Sequence, residues 1–285
     1  MQINEKELSQ FIIQALAEDV GDGDHTSLAT IPEDRRGEAR LLVKEKGIIA
    51  GVELAARIFR KVHDGLQIRV NLEDGSEVYP GDVVLTVAGD ARAILTAERL
   101  VLNCMQRMSG IATMTREITR QLQGTRTKVL DTRKTTPGIR FLEKWAVTIG
   151  GGVNHRFGLY DMILIKDNHV DYAGGIREAI EASREYLKEQ KRSLEIEIEV
   201  RNMLELEQVL EAGNVDRILL DNFKPEALRK AVTRIGGKFM TEASGGITAE
   251  NIREYAGAGV DFISMGALTH SVKSLDLSLK AVITD

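Results

Sequence analysis

Four strand ends fall 22 residues apart. Glu199, Asp221, Ala243 and Met265 close the short runs EIEIE, RILLD, FMTEA and FISM, and helical patterns at 203–212, 225–235 and 248–257 fill the gaps. A strand and a helix in each 22-residue step form a compact repeated unit, and strands alternating with helices imply a parallel sheet. Upstream, KVLD (128–131), AVTI (146–149) and ILIK (163–166) read as three further strands, with a helical pattern over 175–190. Seven strands then occupy about 145 residues, whereas a closed eight-unit barrel takes ~250. The expected fold is an α/β barrel that stops short of closing, followed by a last helical pattern at about 274–284.

The chain before this repeat has another texture. Residues 4–17 read as an amphipathic helix, with Asn4 as cap, Glu7 at the capping-box position and Leu8, Ile12 and Leu16 on one face. EDVGDGDHTS (18–27) lacks the glycine and closing glutamate of a calcium loop and reads as a turn. Ala39–Lys44 and Gly47–Ala50 look like strands, residues 54–62 trace a helical face, and Ile68–Leu72 with Val83–Val87 suggest a hairpin. A long helix is expected from about Thr96 to Gln123, with Gly110 inside it. Glycine weakens a helix interior by ~1 kcal/mol relative to alanine, so a close backbone approach is expected at Gly110. Arg107, on the same helix, reads as a solvated arginine, and Cys104 as core packing.

Polar residues gather at the C-terminal strand ends, the face that carries the active site in (β/α) barrels. They are Asp131–Lys134, Lys166–His169, Glu199, Asp221–Asn222, Ser244–Gly246 and Gly266. From Lys128 to His169 there are seven Lys and Arg against four Asp and Glu, inside a chain of formal net charge −5. This local reversal of sign suggests a focused anion site. In EIEIEV the residues Glu195, Glu197 and Glu199 share one face and the apolar residues the other, so the glutamates point into the lumen and need cationic partners, for which Lys134 and Lys166 are available. SGGITAEN (244–251) and MGALTHS (265–271) are glycine loops of the kind that bind phosphate. His155, beside Arg156 after three glycines, reads as functional, while His25, His63 and His270 read as structural or surface residues.

Composition narrows the class. With 43% hydrophobic and 28% charged residues and a pI near 5.7, the chain looks like a globular enzyme and not a nucleic-acid binder. One cysteine excludes an internal disulfide, no Cys/His spacing suggests zinc, and neither a signal peptide nor a membrane span is expected. A cytoplasmic setting follows as an expectation. Strand–PGD–strand around residues 80–82 is similar to carrier domains, but the tip at 74–82 has no lysine to modify.

DGDHTS, AERLVLN, SGIAT, DTRKTTPGIR, GGGVNHR, ILIKDNH, EIEVRN, LLDNF, EASGGI and SMGALTHS together resemble the quinolinate phosphoribosyltransferase family, in the family's order and over essentially the whole chain. The resemblance implies an open seven-stranded α/β barrel with an N-terminal α+β sandwich. We expect the sandwich over 1–112 and the catalytic barrel over 113–271, with a C-terminal helix at 272–285 packing back onto the sandwich. It further implies that Arg133, Lys134, His155 and Arg156 bind quinolinate, with Arg99 supplied by the partner subunit of a homodimer and Thr132 among the substrate-binding residues. Lys166 would contact substrate or diphosphate, and Glu199 and Asp221 would hold the ribose and the magnesium of phosphoribosyl pyrophosphate. Ser244, Gly245, Gly246, Met265, Gly266 and Ala267 would take the 5-phosphate. Lys134, Lys166, Glu199 and Asp221 are the expected catalytic groups. The segment AGNVD (212–216) departs by one residue from the family's AGAD, so Glu199 and Asp221 are matched each on its own strand. The implied reaction forms nicotinate mononucleotide, diphosphate and CO2. Two other enzymes stay open: a non-decarboxylating transferase acting on nicotinate, and an aldolase with a Schiff base on Lys166.

Overall fold

The computed structural model describes residues 4–282. Its chain falls into two compact units: one takes the residues up to Arg116, Thr136–Gly151 and those from Ser271 on, the other Glu117–Thr135 and Gly152–His270.

The first unit is built on a four-stranded antiparallel sheet, in the order Leu277–Val282, Arg36–Val43, Val83–Asp90, Gln67–Val70. Ala39, Leu41 and Val43 alternate along one strand and are buried, the period-two pattern of a half-buried sheet. The helix Val52–Val62 buries Leu54, Ala55, Ile58 and Phe59, at the 3–4 spacing of one helical face. The helix Glu5–Val20 starts at Asn4, whose side chain accepts from the amides of Lys6 and Glu7. EDVGDGDHTS contains a turn and then a short helix, His25–Thr30, capped by Asp24.

Three expectations fail in this unit. AVTI belongs to a helix, Arg140–Ile149, which buries Phe141, Leu142, Trp145 and Ala146. The helix expected at 274–284 is a strand, Leu277–Val282, paired antiparallel with Arg36–Val43; residues 283 and 284 lie outside the described residues. Leu275, Leu277 and Leu279 are buried at every second position, which is strand spacing. Arg107 is not solvated: its Nε and Nη2 lie 3.0 and 2.8 Å from Oε1 of Glu143, which is fully buried and also accepts from Thr136. Removing one partner of such a pair strands the other.

The long helix runs over Ala91–Gln121. At Gly110 a Cβ would sit 2.2 Å from the carbonyl oxygen of Lys273, so another backbone does approach there. Gly110→Ala, which would stabilise an isolated helix, is therefore expected to destabilise the protein by about 2 kcal/mol, as overpacking does. Urea unfolding measures it, and a gain in stability would refute the close approach.

The second unit is a six-stranded parallel sheet in the order Lys128–Leu130, Phe262–Ser264, Met240–Ser244, Arg217–Asp221, Ile196–Val200, Ile163–Ile165. A single parallel bridge, Leu130 to Val153, adds a seventh position beyond the first strand. The order does not return on itself, which leaves the barrel open. Its helices include Ile176–Glu189, Met203–Ala212 and Pro225–Ile235. Ile196, Ile198 and Val200 are fully buried on the outward face of their strand, against the helix layer. Among the described residues no helix is long and apolar enough to cross a membrane.

Candidate active site

The C-terminal strand ends of the second unit surround a cavity of about 820 Å³. Every residue expected to bind substrate or metal lines it except Arg99, which is exposed on the helix Ala91–Gln121 of the first unit. Thr132, Arg133 and Lys134 follow the strand Lys128–Leu130. The hydroxyl of Thr132 accepts from the Lys134 amide at 3.1 Å, and the Lys134 carbonyl accepts from Thr269 at 2.8 Å, so the basic turn is tied at both ends. The Lys134 stem lies over Gly266, where a Cβ would be 2.9 Å from Lys134 Cδ.

His155 and Arg156 reach the cavity from the loop after Val153. Buried Asp131 holds this loop: its carboxylate accepts from Asn154 Nδ2 at 2.5 Å and from the His155 amide at 2.9 Å. Burial and the nearby Arg133 both push the Arg156 guanidinium below its ordinary pKa, against the opposing pull of Glu197 and Asp161. Such a pair gains from a bound carboxylate.

The opposite side is acidic. Lys166 Nζ is 3.8 Å from Glu199 Oε2. Burial raises the carboxyl of Glu199 above its ordinary value, against the pull of Lys166, and burial likewise raises Asp221, against a hydrogen bond from Asn222. Neighbouring backbones pair Ser244 with Asp221, placing the first glycine loop beside the acidic strand. Gly245 adopts φ +93°, and a Cβ there would meet the Asn222 side chain at 2.2 Å, so only glycine fits this turn. The helices after the two glycine loops, Ile252–Ala256 and Ala267–His270, are short, and Ser244–Ile247 and Met265–Ala267 line the cavity.

Glu199 and Asp221 fit a magnesium ion only together with substrate oxygens. Among the described residues the one group of three metal-ligand side chains is His155, Glu197 and Glu242, and it does not include them. Magnesium commonly takes one or two carboxylates and completes its shell from phosphate and water.

The floor was only half foreseen. Glu197 points inward as expected, but its partner is His155 and not a lysine; Glu195 is largely exposed at the strand start. Glu242, fully buried and also near His155, was missed inside the apolar reading of FMTEA. A glutamate in the middle of a barrel strand was the available signal. Burial would lower the pKa of His155, but the two carboxylates outweigh it and raise it to about 9. The Arg156 amide, 2.7 Å from Nδ1, opposes a second ring proton there. That hydrogen bond needs a bare Nδ1, so the geometry stands against the raised value: the ring is neutral, with its one proton on Nε2 facing the carboxylates. His270, read as a surface residue, lines the rim.

Family models for the N-terminal and C-terminal domains of quinolinate phosphoribosyl transferase match residues 24–109 and 111–280. A quinolinate phosphoribosyltransferase [decarboxylating] 1b of Nicotiana tabacum is 46% identical over 96% of this chain and 82% of its own length. A probable nicotinate-nucleotide pyrophosphorylase [carboxylating] of Bacillus subtilis is 42% identical over 99% of this chain and 96% of its own. The crystal structure of NadC from Streptococcus pyogenes superposes with a TM-score of 0.94 at 38% identity, covering all of both chains. The chain belongs to the quinolinate phosphoribosyl transferase family.

Proposed function

We propose that this chain transfers the phosphoribosyl group of phosphoribosyl pyrophosphate to quinolinate with loss of CO2, giving nicotinate mononucleotide and diphosphate. The observation that carries the reading is the division of one cavity into a cationic side, Arg133, Lys134 and Arg156, and an acidic side, Glu199 and Asp221 with Lys166 beside them, with the two glycine loops on the strands between. Quinolinate has two adjacent carboxylates, and arginine forks match carboxylates bidentately. Arg133 and Arg156 are the pair for that task, with Thr132, Lys134 and His155 around them.

On the acidic side, breaking the bond from ribose C1 to diphosphate develops oxocarbenium charge on the sugar. Glu199 and Asp221 stabilise that charge and orient the ribose hydroxyls, while Lys134 and Lys166 stabilise the departing diphosphate. Magnesium, held by the diphosphate with Glu199 and Asp221, would neutralise further charge on the leaving group. The ring nitrogen becomes cationic once it bonds to C1. The carboxyl carbon then leaves as CO2, its bonding pair stays at the ring carbon, and the adjacent cationic nitrogen stabilises it until a proton adds. Ser244, Gly245, Gly246, Met265, Gly266 and Ala267 supply backbone donors to the 5-phosphate.

The proposal includes a homodimer in which Arg99 of one subunit serves the other's site, and a cytoplasmic setting, which the single buried cysteine supports. The test is release of labelled CO2 from carboxyl-labelled quinolinate, dependent on phosphoribosyl pyrophosphate. Chelation should abolish the release and magnesium restore it, and sedimentation should give a dimer. Turnover of nicotinate with no CO2 from quinolinate would replace this reading with the non-decarboxylating one.

A further inference from the structure

Beneath the cations of the cavity lies a layer of buried charge that no step of the reaction employs. Glu197 and Glu242 are both fully buried in the lumen. Arg217 Nη1 is 3.1 Å from Glu242 Oε2, and the same guanidinium lies over the Phe262 ring at 4.5 Å, which fixes it from outside. His155 Nε2 is 3.0 Å from Glu197 Oε2 and 3.4 Å from Glu242 Oε2. Its N–H is therefore aimed between the two, and both oxygens of Glu197 lack an in-line donor. A carboxylate so placed is costly and is retained only for what it holds.

The other ring nitrogen of His155 is also engaged. Nδ1 accepts the Arg156 amide at 2.7 Å, and the His155 amide is itself held by Asp131. A continuous chain thus runs from Glu197 and Glu242 through the imidazole to the backbone of Arg156. The ligand atoms of His155, Glu197 and Glu242 lie close enough to hold an ion. Arg217, however, already sets a fixed cation against Glu242, and the imidazole N–H faces both carboxylates, so the cluster is partnered by the chain's own groups.

Resting on the function proposed above, we infer that Glu197 and Glu242 are positioning residues for the substrate carboxylates. They lock the His155 ring and, through its Nδ1, the backbone of Arg156. With both nitrogens engaged, His155 meets substrate as a fixed ring and not as a free donor.

A double-mutant cycle with Glu197→Gln and His155→Ala tests this, because residues acting as one unit are not additive. Glu197→Gln is expected to raise KM for quinolinate by about tenfold, the lower range for losing a partner behind a site residue. KM for phosphoribosyl pyrophosphate should change less than about twofold, and in the His155→Ala background Glu197→Gln should add less than about twofold. Multiplying effects, or equal shifts in both KM values, would overturn the inference. Glu242→Gln gives the same cycle should Glu197→Gln fail to fold, and failure of both would assign the pair to the fold alone. Nitrogen NMR of the ligand-free protein separates this inference from the functional reading. His155, assigned by its absence in His155→Ala, should show a protonated Nε2 whose resonance moves in Glu197→Gln. An averaged, mobile imidazole would refute the lock even in a protein that never turns over quinolinate.

Discussion

Arg133→Ala is expected to lower kcat/KM for quinolinate by about 10²-fold, near 3 kcal/mol, within the range for truncating one side of a hydrogen-bonded charge pair. Arg133 sits at the exposed mouth of the cavity, on a turn whose backbone is held by Thr132 and Thr269 and not by its own guanidinium. Thermal stability should therefore change by no more than about 0.5 kcal/mol, as for surface substitutions. Arg133→Lys keeps the charge but loses the fork and should fall between wild type and alanine. Calorimetric titration of quinolinate decides the matter: an unchanged dissociation constant removes Arg133 from the site.

Glu199→Gln is expected to lower kcat by about 10²–10³-fold, the usual cost of losing one group aimed at developing charge. Burial lifts this carboxyl above its ordinary 4.5. A carboxyl with a raised folded-state pKa favours its protonated form in the native protein. Its ionisation costs stability at pH values above the unfolded-state pKa, and the cost is relieved as pH falls through the folded-state pKa. Two results follow at neutral pH: Glu199→Gln loses turnover yet does not lose melting temperature. In wild type the acid limb of kcat/KM, which reports the free enzyme, should lie above the ordinary carboxylate range, and the substitution should flatten it. A variant that kept kcat, or one that melted well below wild type, would remove the electrostatic role.

The barrel was legible because its signals are local. Helices at Met203–Ala212 and Pro225–Ile235 start and stop at their expected residues, the second with proline in its first turn and glycine at its cap. The 22-residue step placed Glu199, Asp221, Ser244 and Gly266 around one cavity without any knowledge of contacts. AVTI failed because a four-residue apolar run has no periodicity of its own; the buried set Phe141, Leu142, Trp145 and Ala146 shows the helical spacing only in the longer window. The segment 274–284 failed because Leu275 and Leu279 also fit a helix, and only the partner strand Arg36–Val43 selects the extended form. Arg107 and Glu143, like Glu242 and His155, are pairs of residues far apart in the chain. Nothing local announces such partners.

That last strand has a consequence for how the protein is made. Leu277 pairs with Val43 and Val282 with Glu38, across almost the full length of the chain. On the ribosome, the strand Arg36–Val43 emerges early but has one edge open until residues 277–282 are translated, after the whole of Gly152–His270. Residues 152–270 carry mostly near-neighbour pairings and can settle while synthesis continues. The first sheet to begin is thus the last to finish, and any chain released short of Leu277 carries a bare strand edge of the kind that recruits other chains.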